Sequence, residues 1–209
     1  MSTANSDQPY RGKRAVDLLL LAIVALPALA IGAVCAAAVA LTSRGGVFFK
    51  QERVGMNGVP FTVWKFRSMT AGDNPIFPDA AHITSVGKIL RRLSLDELPQ
   101  LINVLIGEMS VVGPRPTLAY QVDRYDDEQR RRLAVRPGLT GLAQVSGRNA
   151  LSWDDRIRFD VTYVQTQSAV EDLRIIAKTF TTLLSGEGVE GHPTDDPLAA
   201  PDTTPTEEP

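Results

Sequence analysis

Asp96 and Glu97 stand side by side, with Arg91 and Arg92 shortly before them and an apolar run, Leu98, Leu101, Ile102, Val104, Leu105 and Ile106, after them. Adjacent carboxylates at the start of a helix can supply a nucleophile and a metal or proton partner, and nearby arginines can hold phosphate oxygens. The same residues, Ser94-Leu95-Asp96-Glu97, also fit a capping box, in which Ser94 and Glu97 satisfy the first amides and the acids complement the helix dipole. On this segment alone both readings stand.

The elements that must position these residues begin with a membrane segment. From Leu18 to Leu41 there are 24 consecutive positions without a charged or strongly hydrogen-bonding side chain, against the ~20 needed to cross a bilayer as a helix. Arg11, Lys13 and Arg14 precede the run and Arg44 and Lys50 follow it, so the positive flanks do not assign its ends to opposite sides. Pro27 removes a backbone hydrogen bond inside the run, which predicts a kink and makes it the expected membrane hinge. A kinked helix that leaves by the face it entered and a bent helix that crosses both fit. A cleaved signal fits less well, because the run exceeds the usual ~7–15 residues, although it ends in Ala38-Val39-Ala40.

In the remainder, Val47 to Gln51 and Phe61 to Phe66 read as a β-hairpin with a long loop containing Asn57-Gly58. Alternation places Val63, Lys65 and Arg67 on one face of the second arm, so Lys65 and Arg67 could present charge together. Gly72 to Pro78 reads as loop. Val86, Ile89, Leu90 and Leu93 mark a short helix, and the run from Leu98 marks another that ends at Gly107. These two could lie on a membrane surface or form an ordinary core. Tyr120 to Leu133 has helical character, Arg136 to Gly141 is loop, and a last helix is expected from Trp153 to Leu184.

Composition sets further limits. From His192 to the end there are five acids, five prolines and no Lys or Arg, the pattern of a disordered tail. Without those acids, 22 bases face 19 acids in the body, a mild excess that suits an anionic partner. A single cysteine, Cys35, rules out an internal disulfide, and two histidines give little from which to build a zinc site. The expected organisation is a basic segment over 1–14, a membrane helix over 15–43, one catalytic domain over 44–190 and an acidic Pro-rich tail over 191–209.

Longer motifs decide between the two readings of Asp96 and Glu97. Ser94-Leu-Asp-Glu-Leu-Pro-Gln100 runs on to Val111-Val-Gly-Pro-Arg-Pro116, and Val135-Arg-Pro-Gly-Leu-Thr-Gly-Leu-Ala-Gln-Val-Ser-Gly-Arg-Asn149 follows. With Lys50-Gln-Glu-Arg-Val-Gly55 and Trp64-Lys-Phe-Arg-Ser-Met69 before them, these resemble, in order, the motifs of the bacterial sugar transferases of the monotopic polyprenyl-phosphate phosphoglycosyl transferase type. The resemblance covers roughly residues 11 to 186. It implies an α+β, mainly helical fold with one Pro-kinked re-entrant membrane helix, a β-hairpin and interfacial amphipathic helices.

By the same resemblance Asp96 matches the family's nucleophile, Glu97 its partner acid, and Arg91 and Arg115 its phosphate-binding arginines; Lys65 and Arg67, from the strand alternation, are further candidate phosphate contacts. An undecaprenyl-phosphate sugar phosphotransferase is implied, with a UDP-sugar and undecaprenyl phosphate as substrates and UMP as product. Mg²⁺ is the expected cofactor, held by Asp96 and Glu97, since hard cations prefer carboxylate and phosphate oxygens. Gly138, Gly141 and Gly147, with Arg148, are assigned to the nucleotide-sugar, and Asp160 and Asp172 are further candidates whose simpler reading is a solvated helix surface. Membrane lipids are expected partners and nucleic acid is not; a homo-oligomer is left open. The implied location is the bacterial inner membrane, with the catalytic domain on the cytoplasmic face. Two departures stand out: Leu26 precedes Pro27 where relatives often have serine, and Ser168-Ala169-Val170 replaces a stretch often more aromatic. Larger members carry extra membrane helices and a domain ahead of this unit, which ten residues before Arg11 do not accommodate. The rival reading is a non-enzymatic membrane scaffold, with the acids as caps and the arginines on lipid phosphates.

Overall fold

The computed structural model describes residues 7–43, 45–70, 82–147 and 150–185, with residues 183–185 described by backbone alone. Gly72 to Pro78, Arg148 and the acidic tail therefore lie outside the described residues.

Helix α1 (Lys13–Thr42) is one 30-residue helix that continues through Pro27. It is long and apolar enough to cross a membrane. One stripe, Lys13, Asp17, Leu21, Cys35 and Val39, is buried, while Leu19, Ile23, Leu26, Leu29, Val34 and Leu41 are exposed around the rest of its surface. Steps of four, and of fourteen between Leu21 and Cys35, keep that stripe on one face of a 3.6-residue helix. Leu21 packs with Phe61, Val63, Val104 and Met109, and Cys35 and Val39 pack with Phe66 and Leu90. Both halves of α1 thus rest on the same folded unit. Its first turn is also fastened by polar contacts: Lys13 Nζ donates to Asp172 at 2.7 Å and to Asp17 at 3.3 Å, Tyr10 and Tyr163 hydroxyls donate to Asp172 at 2.7 Å each, and Ser110 donates to Asp17 at 2.8 Å.

Strands β1 (Phe48–Val54) and β2 (Pro60–Phe66) form an antiparallel hairpin paired from Phe48↔Phe66 to Val54↔Pro60. The first strand continues past the expected end at Gln51, and the connection is short rather than long. It closes in five residues because Asn57 and Gly58 accept φ of 57° and 78°.

Helix α2 (Ser85–Arg92) starts at Thr84, whose hydroxyl accepts from the Gly87 amide at 2.9 Å. It docks closely on the chain leaving β2: a Cβ at Gly87 would stand 2.0 Å from the Ser68 carbonyl oxygen. A 3₁₀ segment, Leu95–Gln100, follows, then helix α3 (Leu101–Ile106), which ends at Gly107 with φ 90°. The expected helix from Leu98 therefore starts later. Pro99 lacks an amide proton and sits in the tighter turn. The capping box is absent as well, since Ser94 has φ 54° and its side chain caps nothing.

Strand β3 (Ser110–Val112) pairs in parallel with β4 (Gly138–Thr140), a contact that three-residue strands did not announce. The helix expected over Tyr120 to Leu133 is broken into α4 (Ala119–Asp123), α5 (Asp127–Arg130) and a 3₁₀ turn, because Asp126 stops one helix and caps the next by accepting from the Gln129 amide at 2.8 Å. Helix α6 (Leu142–Ser146) follows. The single last helix is two, α7 (Trp153–Thr166) and α8 (Ala169–Ser185). Gln167 is extended, with ψ 135°, and the Ser168 hydroxyl accepts from the Glu171 amide. The fold is α+β and mainly helical. In α2 and α3, Leu90 and Val104 are buried in the core, while Ile89, Leu93, Ile102, Leu105 and Ile106 are exposed.

The contrast between two glycines gives a test. Gly87→Ala forces α2 off Ser68 and should lower the melting temperature by several degrees, from ~1–3 kcal/mol of overpacking at ~2–4 °C per kcal/mol for a chain this size. Gly32→Ala, whose Cβ would meet Leu98 at an ordinary 3.6 Å, should leave it unchanged or raised. Thermal unfolding in one detergent measures both.

Candidate active site

Three elements meet at Glu97. Lys65 reaches it from β2, Arg115 from the Pro114–Pro116 turn, and Glu97 itself lies on the 3₁₀ segment between α2 and α3. Lys65 Nζ donates to Glu97 Oε1 at 2.8 Å, and Arg115 grips the carboxylate as a fork, Nη2 to Oε1 at 2.6 Å and Nη1 to Oε2 at 3.4 Å. Burial alone would push the Glu97 carboxyl up, but Arg115 and Lys65 outweigh it and hold Glu97 well below the usual carboxylate range. The two cations thus favour its ionised form.

Asp96 is its opposite. Among the described residues no hydrogen bond or ion pair reaches its carboxylate. Burial pushes the Asp96 carboxyl up; Glu97 adds to this, and Lys65, Arg91 and Arg115 offset part of it. Three cations thus act on Asp96 through space without being bonded to it. A carboxylate with free lone pairs, next to a neutralised neighbour and within a field of positive charge, is placed to receive a phosphate and attack it.

The supporting contacts explain why the cations stand there. Arg91 Nε donates to the Ser68 hydroxyl at 2.9 Å, so the docking of α2 on Ser68 sets that guanidinium. Arg115 is fixed through its backbone: its carbonyl accepts from Arg132 Nη2 at 3.0 Å, and buried Arg132 is in turn ion-paired with Asp160 and donates to the Tyr125 hydroxyl at 2.5 Å. The site also lies beside the membrane helix. Leu98, the residue after Glu97, packs against the cluster that includes Cys35 and Val39 of α1.

Lys65, Arg91, Asp96, Glu97 and Arg115 are thus brought together, and other residues named from the sequence have different surroundings. Arg67 lies just past the end of β2, where its Nε and Nη2 donate to the carbonyls of Gly46 and Phe48 at 2.9 and 3.3 Å, so it ties down a loop instead of standing beside Lys65. Asp160 is 1% exposed and Asp172 0%. Neither is a solvated surface acid nor a free nucleotide ligand: Asp160 serves Arg132, and Asp172 fastens α1. Gly138 and Gly141 allow close approach, but to protein, since a Cβ at either would stand about as near as 2.1 and 2.2 Å to the Gly113 backbone. Gly147 is packed against Leu151 in the same way. Arg148 lies outside the described residues. Pro27 remains within a continuous α1.

Sequence reading missed Arg53, Ser68 and Arg132. Arg53 was within reach: strand alternation puts it on the face of the hairpin that carries Lys65, four pairs along the ladder. Ser68 and Arg132 carried no local signal, because their importance comes from partners 23 and 28 residues away.

No group of three or more His, Cys, Asp or Glu side chains able to hold a metal occurs among the described residues. Asp96 and Glu97 alone fit a hard cation of the kind that takes one or two carboxylates and completes its shell with substrate phosphate and water. The donor set fits Mg²⁺ and does not fit a site filled by protein ligands alone.

The chain is similar to known proteins over most of its length. An uncharacterized sugar transferase of Bacillus subtilis, EpsL, is 46% identical over 157 residues, covering 74% of this chain and 78% of that protein. The exopolysaccharide production protein ExoY of Rhizobium meliloti is 39% identical over 196 residues, 84% of this chain and 87% of that one. A UDP-glucose:undecaprenyl-phosphate glucose-1-phosphate transferase of Escherichia coli is 40% identical over 198 residues, 86% of this chain but only 42% of the longer relative. The bacterial sugar transferase family model matches residues 9–186, and the chain belongs to that family.

Proposed function

We propose that this protein transfers a hexose-1-phosphate from a UDP-sugar to undecaprenyl phosphate, releasing UMP, and so begins the assembly of a polysaccharide or glycoconjugate. The observation that carries this reading is the unlike pair of acids: Glu97 neutralised by Lys65 and Arg115, Asp96 left unbonded in their field. Relatives named as UDP-glucose:undecaprenyl-phosphate glucose-1-phosphate transferase and undecaprenyl-phosphate galactose phosphotransferase supply the substrate class.

In the first step an Asp96 oxygen attacks the phosphorus that bears the sugar. The bond from that phosphorus to the bridging oxygen breaks, and UMP leaves with that oxygen. The sugar phosphate is then an acyl phosphate on Asp96. In the second step a lipid phosphate oxygen attacks the same phosphorus, the bond to Asp96 breaks, and the carboxylate is restored with a lipid diphosphate sugar as product. Arg115, Arg91 and Lys65 neutralise the oxygens that carry charge throughout. Glu97, held so far below the usual range, is a poor proton acceptor. Its role is to fix the two cations. Bound at Asp96 and Glu97, Mg²⁺ would supply further charge neutralisation for the diphosphate.

The lipid acceptor gives α1 its purpose. From Leu21 to Val39 the helix is packed against the hairpin and the catalytic turn, a stretch of ~27 Å at 1.5 Å per residue. An upright span with a hydrocarbon core of ~30 Å would carry those polar elements into the lipid. A helix that enters and leaves by one face keeps them in the headgroup layer, where the lipid phosphate is. This supports a re-entrant helix, with the catalytic unit on the cytoplasmic face of the bacterial inner membrane, where nucleotide sugars are made.

The test is UMP release from a panel of UDP-sugars by the detergent-solubilised protein with undecaprenyl phosphate. Release from one or a few donors is expected, with Asp96→Asn lower by roughly 10³-fold or more and membrane association unchanged; a folded protein that releases UMP from no donor contradicts the reading. Chelation with EDTA should stop turnover and added Mg²⁺ restore it. The pH profile gives a separate check. Asp96 must be ionised to attack and its carboxyl is raised, so activity should fall, as pH is lowered, above the ordinary aspartate range. Glu97→Gln removes a negative neighbour and frees Lys65 and Arg115, so what activity remains should show that acid limb at lower pH.

A further inference from the structure

Three guanidinium groups meet at the Pro114–Pro116 turn, and two of them have a carboxylate: buried Arg132, which donates to the Arg115 carbonyl, is paired with Asp160, and Arg115 is paired with Glu97. Arg115 grips Glu97, whereas Arg53 of β1 donates from Nη2 to Gln51 Oε1 at 2.6 Å and from Nη1 to the Pro116 carbonyl at 3.5 Å. No ion pair to Arg53 occurs among the described residues. Its two bonds orient the fork and leave three of the five N–H donors of an arginine without a partner there. Folding has therefore placed two like charges together in a half-buried position. Burial, then the charge of Arg115, bring Arg53 down to about 10, with Glu97 and Tyr120 offsetting part of the effect. Strand register accounts for the placement: Gln51 and Arg53 are paired with Val63 and Phe61, on the face that carries Lys65.

The order of the cations around the acids is informative. Lys65 and Arg115 bond to Glu97, next to Asp96, and Arg91 acts on Asp96 from α2, while Arg53 bonds to neither acid and reaches the Pro116 carbonyl, one residue beyond Arg115. A monophosphate at the nucleophile needs only the first three. A diphosphate has a second charged centre about one phosphate farther on, and an uncompensated guanidinium fork stands next to Arg115 with donors to spare.

We propose that Arg53 is a second phosphate-binding residue, taking the nucleoside-linked phosphate of the donor, the one that departs with the leaving group, while Arg115 serves the phosphate that is attacked. This rests on the donor being a nucleoside diphosphate sugar. No bond to Arg53 forms or breaks; its part is to hold the donor and to neutralise the oxygen charge that grows on the leaving phosphate.

The experiment compares the full chain with its Arg53→Gln and Arg53→Lys variants, measuring UMP affinity by titration calorimetry and KM for the UDP-sugar and for undecaprenyl phosphate separately. Arg53→Gln should weaken UMP binding and raise donor KM by about 10-fold or more, with the lipid KM unchanged. Arg53→Lys should recover part of the loss, because an ammonium keeps the charge and loses the fork. Melting temperatures of both variants distinguish this from unfolding: a drop in stability that accounts for the loss, unrelieved by lysine, overturns the assignment. So does a rise in lipid KM with UMP affinity intact, or no change in either substrate. A wild-type protein that neither binds UMP nor releases it from any donor is a separate outcome, independent of Arg53, and overturns the reaction itself.

Discussion

The arrangement depends on one carboxylate held by two cations from distant parts of the chain. Glu97 draws Lys65 from the hairpin and Arg115 from the turn after β3 to within hydrogen-bond distance. The Arg115 side chain is 48% exposed, so this contact adds little to stability. Its consequence is geometric. With Glu97 satisfied, the positive charge of Lys65 and Arg115 is fixed in place, and the adjacent Asp96 experiences it without being consumed by it. Two neighbouring acids of similar intrinsic strength thereby acquire different tasks, one structural and ionised, the other free and shifted upward.

Around that centre the remaining structure limits movement. Asp160 holds Arg132, Arg132 holds the Arg115 carbonyl, and Gly113 and Gly138 let the two supporting segments meet at backbone distance. Gly87 does the same for α2, so Arg91 has one place to go. At the other side of the unit Asp172, 0% exposed, collects Lys13, Tyr10 and Tyr163 and so fastens the start of α1. The membrane helix and the catalytic turn are therefore parts of one packed body, with Leu98 packed against the cluster that holds Cys35 and Val39 of α1. A reaction that joins a water-soluble donor to a lipid needs that closeness.

Much of this was legible in the sequence, and the exceptions share a cause. The apolar run of α1, the hairpin with Asn57-Gly58 at its turn, and the end of α3 at Gly107 are local signals, set by periodicity and by residues that tolerate positive φ. The acids and Arg91, Arg115 and Lys65 were legible because their motifs are long. What failed was whatever depended on a distant partner. Arg67 and Lys65 alternate correctly, yet Arg67 lies past the strand end and turns to the Gly46 and Phe48 carbonyls. Asp160 and Asp172 looked like surface acids because helical position does not tell which neighbour carries an arginine or a lysine. The glycines of the second long motif read as a phosphate cradle, though two of them serve the β3–β4 contact, a pairing of strands too short to be seen in the sequence. The long terminal helix and the helix over Tyr120 to Leu133 were broken by Ser168 and Asp126, whose capping role outweighed the surrounding propensity.

The division of labour between the two acids is tested most directly by trapping the protein in mid-reaction. The protein is incubated with its UDP-sugar in the absence of lipid acceptor, quenched, digested and examined by mass spectrometry. A hexose-phosphate adduct on Asp96, discharged when undecaprenyl phosphate is added before the quench, is the predicted result. An adduct on Glu97, or turnover with lipid at full rate while no adduct forms on any residue, would contradict the account.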